Sequence, residues 1–374
     1  MERLSNGAKM MFSFQIKHSR LGILLIISLC VCIFFWIGRV LFQYDAQQTK
    51  FSGSIIGQYM GGDNLRFIIK NPNNLKESID IELPMFQQKE DHVSSPVLTQ
   101  EGLYFIASKW YTEQEPRIMF LTQEGVKEVS ITWPSTILQL YVHRLYVYDD
   151  KFYLTFRSKN YNTPDKIYSV PKNGGIAKEV YSNLNLHGFG DPTAQMDGIP
   201  VQYKDGIICI RWGTSTVIFV NDEREDVLFP LPIGTATLLK GWYEEDKSLM
   251  LWSDEPNYSV VVDLHGDVLE IYSAWLLSTN CWDIYGNADN GILLESTSTK
   301  DYPYYFPGID KTFFFRKENI NHFDSGIYDT RTGNMIPFYW KNQIFPRGWS
   351  KVDYDKVFFE KLAKAAVSFG KNMR

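Results

Sequence analysis

The local group best equipped for chemistry in this 374-residue chain is His187-Gly188-Phe189-Gly190-Asp191. An imidazole and a carboxylate set between glycines suit an acid–base pair or two ligands of a metal ion. The plainer reading is a connecting loop, because 183–200 is crowded with turn-forming residues. Asp263-Leu264-His265-Gly266-Asp267 carries the same residue types, and there too a hairpin turn is expected before a metal loop. The other histidines, His18, His92, His143 and His322, stand far apart in sequence. There is no G-x-S-x-G elbow, no phosphate-binding loop, no H-E-x-x-H and no paired C-x-x-C. No catalytic residue, metal ligand or cofactor is assigned on this basis.

Recognition is the other chemistry these residues offer. Trp110, Tyr111, Tyr161, Phe189, Tyr302, Tyr304 and Tyr305 stand in segments rich in Asp, Asn and Pro. Aromatic side chains on loops over a rigid scaffold give contact area at low entropic cost, which suits a protein or glycan ligand. Together with His187 and Asp191 they form the candidate ligand-binding face. The expected function is a binding or scaffolding module. The alternatives are a hydrolase or lyase with its site in a central channel around His187 and Asp191, and a sensory or regulatory membrane protein.

The elements that must position these residues are strands. Phe, Tyr and Trp make up 15% of the chain, and such side chains pack well on a pleated surface. Phe152-Tyr153-Leu154-Thr155-Phe156 alternates, with Phe152, Leu154 and Phe156 on one face and Tyr153 and Thr155 on the other. It is launched by the turn Asp149-Asp150-Lys151. Lys172-Asn173-Gly174-Gly175 then supplies a second turn, with glycines for the positive φ values a tight hairpin needs. Acidic or glycine-bearing turns launch apolar strands in the same way at Leu65, Leu103, Ile207, Leu249 and Ile292. These six units recur at roughly 40–50 residues, each able to supply four short strands, the period of a propeller blade. The first unit is the least regular. A pair of β-sandwiches would also show short strands at regular spacing, but not two hairpins repeated in order without a linker.

Ile167-Tyr168-Ser169-Val170-Pro171-Lys172-Asn173-Gly174-Gly175 resembles the outer hairpin of bacterial six-bladed propellers of the TolB-like group, where an I-Y-x-x-x-x-D/N-G turn recurs from blade to blade. Tyr328-Asp329-Thr330-Arg331-Thr332-Gly333 is a weaker copy. The resemblance is one of architecture over residues 51–345, and it implies an all-β, six-bladed β-propeller. Propellers of this kind include binding modules, assembly factors and enzymes, so no functional residue is carried over.

Two terminal segments depart from this pattern. Residues 21–42 read LGILLIISLCVCIFFWIGRVLF, with eighteen uncharged positions before Arg39, enough for a transmembrane helix. Trp36, Arg39 and Phe42 stand where a cleaved signal peptide would need small residues, so an uncleaved anchor is expected. Arg3, Lys9, Lys17 and Arg20 precede the span, which places the 1–20 tail in the cytoplasm and residues 43–350 outside, in the cell envelope. At the other end, Phe358, Leu362, Ala365 and Phe369 recur at helical spacing within 351–374. A short amphipathic helix is expected there, packed on the outside of the propeller or laid against lipid headgroups.

Charge excludes one class of partner. The net charge is −5, and residues 1–42 contribute +4, which leaves −9 for residues 43–374. An acidic body is unsuited to nucleic acid, whose binding needs a basic face. Of the four cysteines, Cys30 and Cys32 fall in the apolar run. Cys209 and Cys281 are expected as buried thiols, with a disulfide between them as the alternative.

Overall fold

The computed structural model describes Ile33 and residues 51–372, apart from 60–63, 88, 110–113, 161, 187–197, 199, 215, 232–236, 244–247, 255–256, 273–281, 289–290, 297–302, 306–311, 315–324, 330–333 and 339–343. In the strands between 237 and 346 the backbone is described throughout, and side chains only in part.

Among the described residues there are six four-stranded antiparallel sheets. Sheet two runs Asp91–Leu98, Leu103–Lys109, Arg117–Thr122, Gly125–Val129. Sheet three runs Leu140–Val147, Lys151–Ser158, Asp165–Pro171, Lys178–Leu184. Sheet four is Val201–Tyr203, Gly206–Ile210, Thr216–Val220, Glu225–Pro230, and sheet five is Thr237–Tyr243, Ser248–Asp254, Asn257–Val262, Val268–Tyr272. Sheet six joins Trp282–Ala288, Gly291–Ser296, Ser325–Asp329 and Asn334–Phe338. In each of these the chain meanders through neighbouring strands in sequence order.

Sheet one differs, and the difference closes the ring. Its order is Ile344–Ser350, Ser54–Tyr59, Asn64–Asn71, Asn74–Gln87, so the last strand of the chain supplies the first position. Ser54 pairs with Ser350, Ile55 with Trp349 and Tyr59 with Ile344. The irregularity of the first sequence unit has this cause. Its opening strand lies some 290 residues downstream by the pairing of Ser54 with Ser350, and its turn-launched strand at Leu65 is third in its sheet, not second. The first strands neighbour one another around the ring, from sheet one to two, two to three, five to six and six back to one. Between sheets three and four the link is made by Tyr146 Oη, which donates to the Pro200 carbonyl at 2.7 Å, and by Gln202 Nε2, which donates to Val147 O at 3.0 Å. Six successive blades closed by a strand from the far end form a β-propeller, as the repeats led us to expect.

Stacking of the sheets explains why their central strands are apolar on both faces. Leu103, Phe105 and Ala107 pack with Phe67, Ile69 and Leu83 of sheet one. Tyr104 and Ile106, on the other face of that strand, pack with Phe152, Leu154 and Phe156 of sheet three. Tyr153 in turn faces Ile207, Cys209 and Ile218 of sheet four. A strand covered on both sides loses the polar alternation of a half-exposed one. Cys209 is buried and free, and burial pushes its thiol far above the ordinary range, so it is an inert core residue. Cys281 lies outside the described residues.

The expected C-terminal helix spans Lys356–Asn372. Asp355 caps it, its Oδ1 accepting from Phe358 N at 3.0 Å. The helix packs against the outer strands of sheets one and two, where Phe359, Leu362 and Ala366 are wholly buried with Ile81, Leu83, Phe86 and Val126. Gly370 sits so close to Pro84 that a Cβ there would lie 2.4 Å from the proline Cγ. Lys356, Lys361, Lys364 and Lys371 stay exposed. Its apolar stripe is therefore spent on the propeller wall. Among the described residues no helix is long and apolar enough to cross a membrane, and residues 21–42, apart from Ile33, lie outside them.

Candidate functional site

Strand order fixes which connections share an end of the ring. In an up-and-down blade, the connection between second and third strands emerges on the same side as the crossover to the next blade. The strands beginning at Leu103, Lys151 and Gly291 are all second in their sheets. The connections 110–116, 159–164 and 297–324 and the crossover 185–200 therefore belong to one end. The other end carries tight turns, among them 123–124, 148–150 and 204–205.

Every candidate ligand residue belongs in sequence to one of these connections. Trp110 and Tyr111 fall in 110–116, Tyr161 in 159–164, and His187, Phe189 and Asp191 in the crossover. These six and Tyr302 lie outside the described residues. Tyr304 and Tyr305 belong to the strand Pro303–Tyr305, which pairs with Thr312–Phe314 in a small hairpin between the second and third strands of sheet six. Tyr304 is opposite Phe313 and Tyr305 opposite Thr312.

Two buried carboxylates hold the described part of this end. Asp165 is fully buried at the start of the third strand of sheet three. Its Oδ1 accepts from Ser158 N and its Oδ2 from Leu186 N, both at 2.8 Å, so one side chain ties the 159–164 connection to the root of the crossover. Within that connection Ser158 Oγ bonds Thr163 Oγ1, and Asn160 Oδ1 accepts from Asn162 N at 3.0 Å. Asp91 does the same between sheets one and two. It accepts from Gln87 N at 2.8 Å and pairs with Lys109 Nζ at 3.0 Å. Hydrogen bonds to Asp91 and then Glu90 raise the Lys109 ammonium above its ordinary value, so it stays charged. Neither carboxylate was singled out in the sequence, where an Asp at a strand start looks like any turn residue. The only signal was its place directly before an apolar strand, as in Pro164-Asp165-Lys166-Ile167-Tyr168.

The opposite end carries a polar cluster of another kind. Asp222 Oδ2 accepts from Lys151 Nζ at 2.6 Å and from Tyr153 Oη at 2.8 Å. Burial pulls the Lys151 ammonium down, but its bonds to Asp222 and Tyr153 leave it raised above the ordinary lysine value. Burial and the bond to Asp222 push the Tyr153 phenol up to about 12. An amine and a phenol this firmly protonated are poor general bases at neutral pH. The cluster bridges sheets three and four and reads as a lock. At 263–267, Asp263 Oδ1 accepts from His265 N and Asp267 N at 2.8 and 2.9 Å, so this segment is the expected hairpin turn.

A third set of residues lines up along the first strands of the sheets, and sequence reading did not find it. In five of the six, the register with the second strand slips in mid-strand. The residues left over are Arg347 in sheet one, Ser95 and Pro96 in sheet two, His143 in sheet three, Lys240 in sheet five and Tyr285 in sheet six. A β-bulge re-aims the side chain at its extra residue and is common beside sites. Ser95, at φ +51°, turns its Oγ to accept from Leu145 N at 2.9 Å, which joins sheets two and three. His143 Nδ1 lies 3.2 Å from Thr155 Oγ1. His92, also on a first strand, is pulled down to about 4 by burial and then by the charge of Arg347, and is neutral at physiological pH. The missed signal was a short repeat, Lys240-Gly241-Trp242 and Arg347-Gly348-Trp349.

No family model and no curated protein matches this sequence. Solved structures resemble the fold. A TolB-like protein from Agrobacterium tumefaciens is 11% identical, covering 78% of this chain and 94% of its own, with a TM-score of 0.43. A streptogramin B lyase is 12% identical over 81% of this chain and 95% of its own, at 0.45. A Bacteroides caccae protein of unknown function is 12% identical over 80% and 98%, at 0.49. These likenesses concern architecture alone. The assignment of a propeller here stands on strand order and on closure by Ile344–Ser350.

Proposed function

We propose that this chain is a membrane-anchored binding or scaffolding module of the cell envelope, held by residues 21–42 with residues 43–350 outside. Its ligand is a protein or glycan taken at the end of the ring that carries the long connections. The observation that supports this reading is the asymmetry of the two ends: 110–116, 159–164, 185–200 and 297–324 at one, tight turns at the other. Long connections on a compact domain, set on a rigid frame, are where binding residues concentrate. The frame is rigid for a stated reason, since Asp165 and Asp91 tie the roots of these connections to the sheets.

The test compares full-length chains recovered from envelope extracts. Replacing Tyr302, Tyr304 and Tyr305 together by Ser is expected to leave the thermal transition in place. It should weaken partner binding about a hundredfold, as removal of an aromatic hot spot does. Lys172→Ala, in the turn at the opposite end, should change nothing. Equal recovery with all variants would remove this end as the binding face. Protease added to spheroplasts should degrade the body and spare the N-terminal tail, and protection of residues 60–372 would overturn the orientation.

A further inference from the structure

We infer that the exposed lysine face of the C-terminal helix docks on an anionic lipid surface, which turns the tight-turn end of the ring towards the membrane. The inference rests on the anchor proposed above and deepens that reading, since it says how the body is held.

The two faces of the helix give the first line of argument. Phe359, Leu362, Ala366 and Gly370 are buried, whereas Val357, Lys361, Lys364, Ser368 and Lys371 are exposed. At 3.6 residues per turn the second set forms one stripe opposite the first. Lys356 is exposed beside that stripe. Over Lys356–Asn372 four lysines stand against Glu360, a net of +3, in a body whose residues 43–374 carry −9. Among the described residues none of these four lysines pairs with a carboxylate. Val357, in the same stripe, is 63% exposed. Cations around an exposed apolar side chain suit a headgroup layer, which offers phosphate and an acyl boundary together.

A groove runs beside the stripe. It has a volume of about 390 Å³ and is lined by Gln123, Glu124, Lys361, Lys364, Ser368 and Phe369. The Glu124 carboxylate there is paired with Lys127 at 3.4 Å, so its charge is already met. Two ammoniums and a hydroxyl remain for an arriving phosphodiester.

The path of the chain gives the second line. Residues at its entry into the body bond those just before the helix: Gly53 N donates to Asp353 Oδ1 at 3.0 Å, and Ser54 Oγ to Val352 O at 2.7 Å. Entry point and helix start therefore share one corner. That corner is at the turn end, because Ser54 and Ser350 pair where the first and second strands of sheet one meet. The turn 123–124 beside the groove belongs to the same end. Eight residues, 43–50, separate Phe51 from the expected span. At full extension they reach about 29 Å, little more than the roughly 25 Å length of the helix. So short a tether gives the lysine face a high effective concentration at the bilayer. Each lysine near an anionic surface then favours docking about fivefold. The long connections, at the opposite end of the ring, are left open to a partner.

Fluorescence quenching on the full-length chain tests the docking. The native cysteines are replaced by Ala, and a bimane label is placed on Ser368→Cys. The chain is reconstituted in vesicles of phosphatidylcholine, alone or in equal mixture with phosphatidylglycerol, both carrying a headgroup-nitroxide lipid as quencher. Quenching should be about fivefold or more greater on the anionic vesicles, and it should fall as salt rises. Changing Lys361, Lys364 and Lys371 together to Gln should bring it to the neutral level without moving the thermal transition. Changing all three to Arg should keep it. A label on Val227→Cys, exposed on sheet four, should not respond to lipid charge. If the chain floats with the vesicles, equal quenching on both kinds, or quenching that survives the Gln variant, would overturn the docking and leave the anchor standing. Absence of quenching on both kinds would do the same and leave the face to a protein partner or a second copy. A chain that floats with neither kind of vesicle would overturn the anchor, and the docking with it.

Discussion

Gly53→Ala is expected to destabilise the folded body by about 3 kcal/mol or more, whereas Gly213→Ala should cost about 1 kcal/mol. Both glycines adopt positive φ, +91° and +71°. The backbone penalty for an L-residue is therefore common to both, and the surroundings decide the difference. At Gly53 a Cβ would lie 1.9 Å from the Ser350 carbonyl oxygen and 2.8 Å from Trp349 Nε1, both part of the closing strand. At Gly213 no atom of the described residues lies within 4 Å. Relief at Gly53 requires the seam to part, and the seam has much to lose. Gly53 N donates to Asp353 Oδ1 at 3.0 Å, Ser54 Oγ donates to Val352 O at 2.7 Å, and Trp349 Nε1 donates to Ser52 O at 2.9 Å. Urea unfolding of the two variants measures the contrast. Equal, small losses would mean that the termini of the body do not meet as described.

Phe359→Ala is expected to cost about 3–5 kcal/mol, the range for deleting a fully buried aromatic ring. The ring is 0% exposed, at T-shaped distance (5.4 Å) from Tyr354 and in one cluster with Leu83, Phe86 and Val126. The helix thus fastens sheet one to sheet two from outside, beside the seam. Limited proteolysis should show cleavage within 351–372 in Phe359→Ala well before the sheets are cut. Exposed Val357→Ala, on the same helix, should shift stability by less than about 0.5 kcal/mol. A loss below about 1 kcal/mol for Phe359→Ala would mean that the helix lies free of the wall.

Much of this fold was legible because its signals are local. The turn at Lys172–Gly175 reads directly from two adjacent glycines, and both take positive φ, +88° and +125°. One detail differs there: Gly175 and Ile176 first pair in parallel with Ile131 and Thr132, and the fourth strand starts only at Lys178. The apolar strands at Leu103, Phe152 and Ile207 announce themselves by runs that are buried on both faces. What could not be read was anything whose partner is distant. Ser54–Tyr59 is unremarkable as a string, and only its pairing with Ile344–Ser350 makes it the second strand of a closed blade.

The same distinction separates what was seen of the candidate sites. Aromatics in polar loops stand out by composition, so Trp110, Tyr111, Tyr302, Tyr304 and Tyr305 were selected, and strand order assigns their connections to one end. Asp165 was invisible because its role depends on two amides, at Ser158 and Leu186, that only the fold brings together. The bulges at His143, Lys240 and Arg347 were invisible for a related reason. A register slip is a relation between two strands, and one strand alone does not record it.

Closure of the ring by the last strand sets which connections share an end, and a disulfide can test that closure directly. Ser54 and Ser350 are register partners, both small and buried, and their cysteine replacements would sit on adjacent strands within bridging distance. In a full-length background with the native cysteines replaced by Ala, the pair Ser54→Cys and Ser350→Cys should oxidise readily. It should migrate faster on a non-reducing gel and resist urea better than its reduced form. The control pair Ser54→Cys and Ser158→Cys, in sheets one and three, should not cross-link. Efficient oxidation of the first pair alone is the result predicted here; no cross-link at Ser54 and Ser350, or equal cross-linking in the control, would contradict the closed propeller.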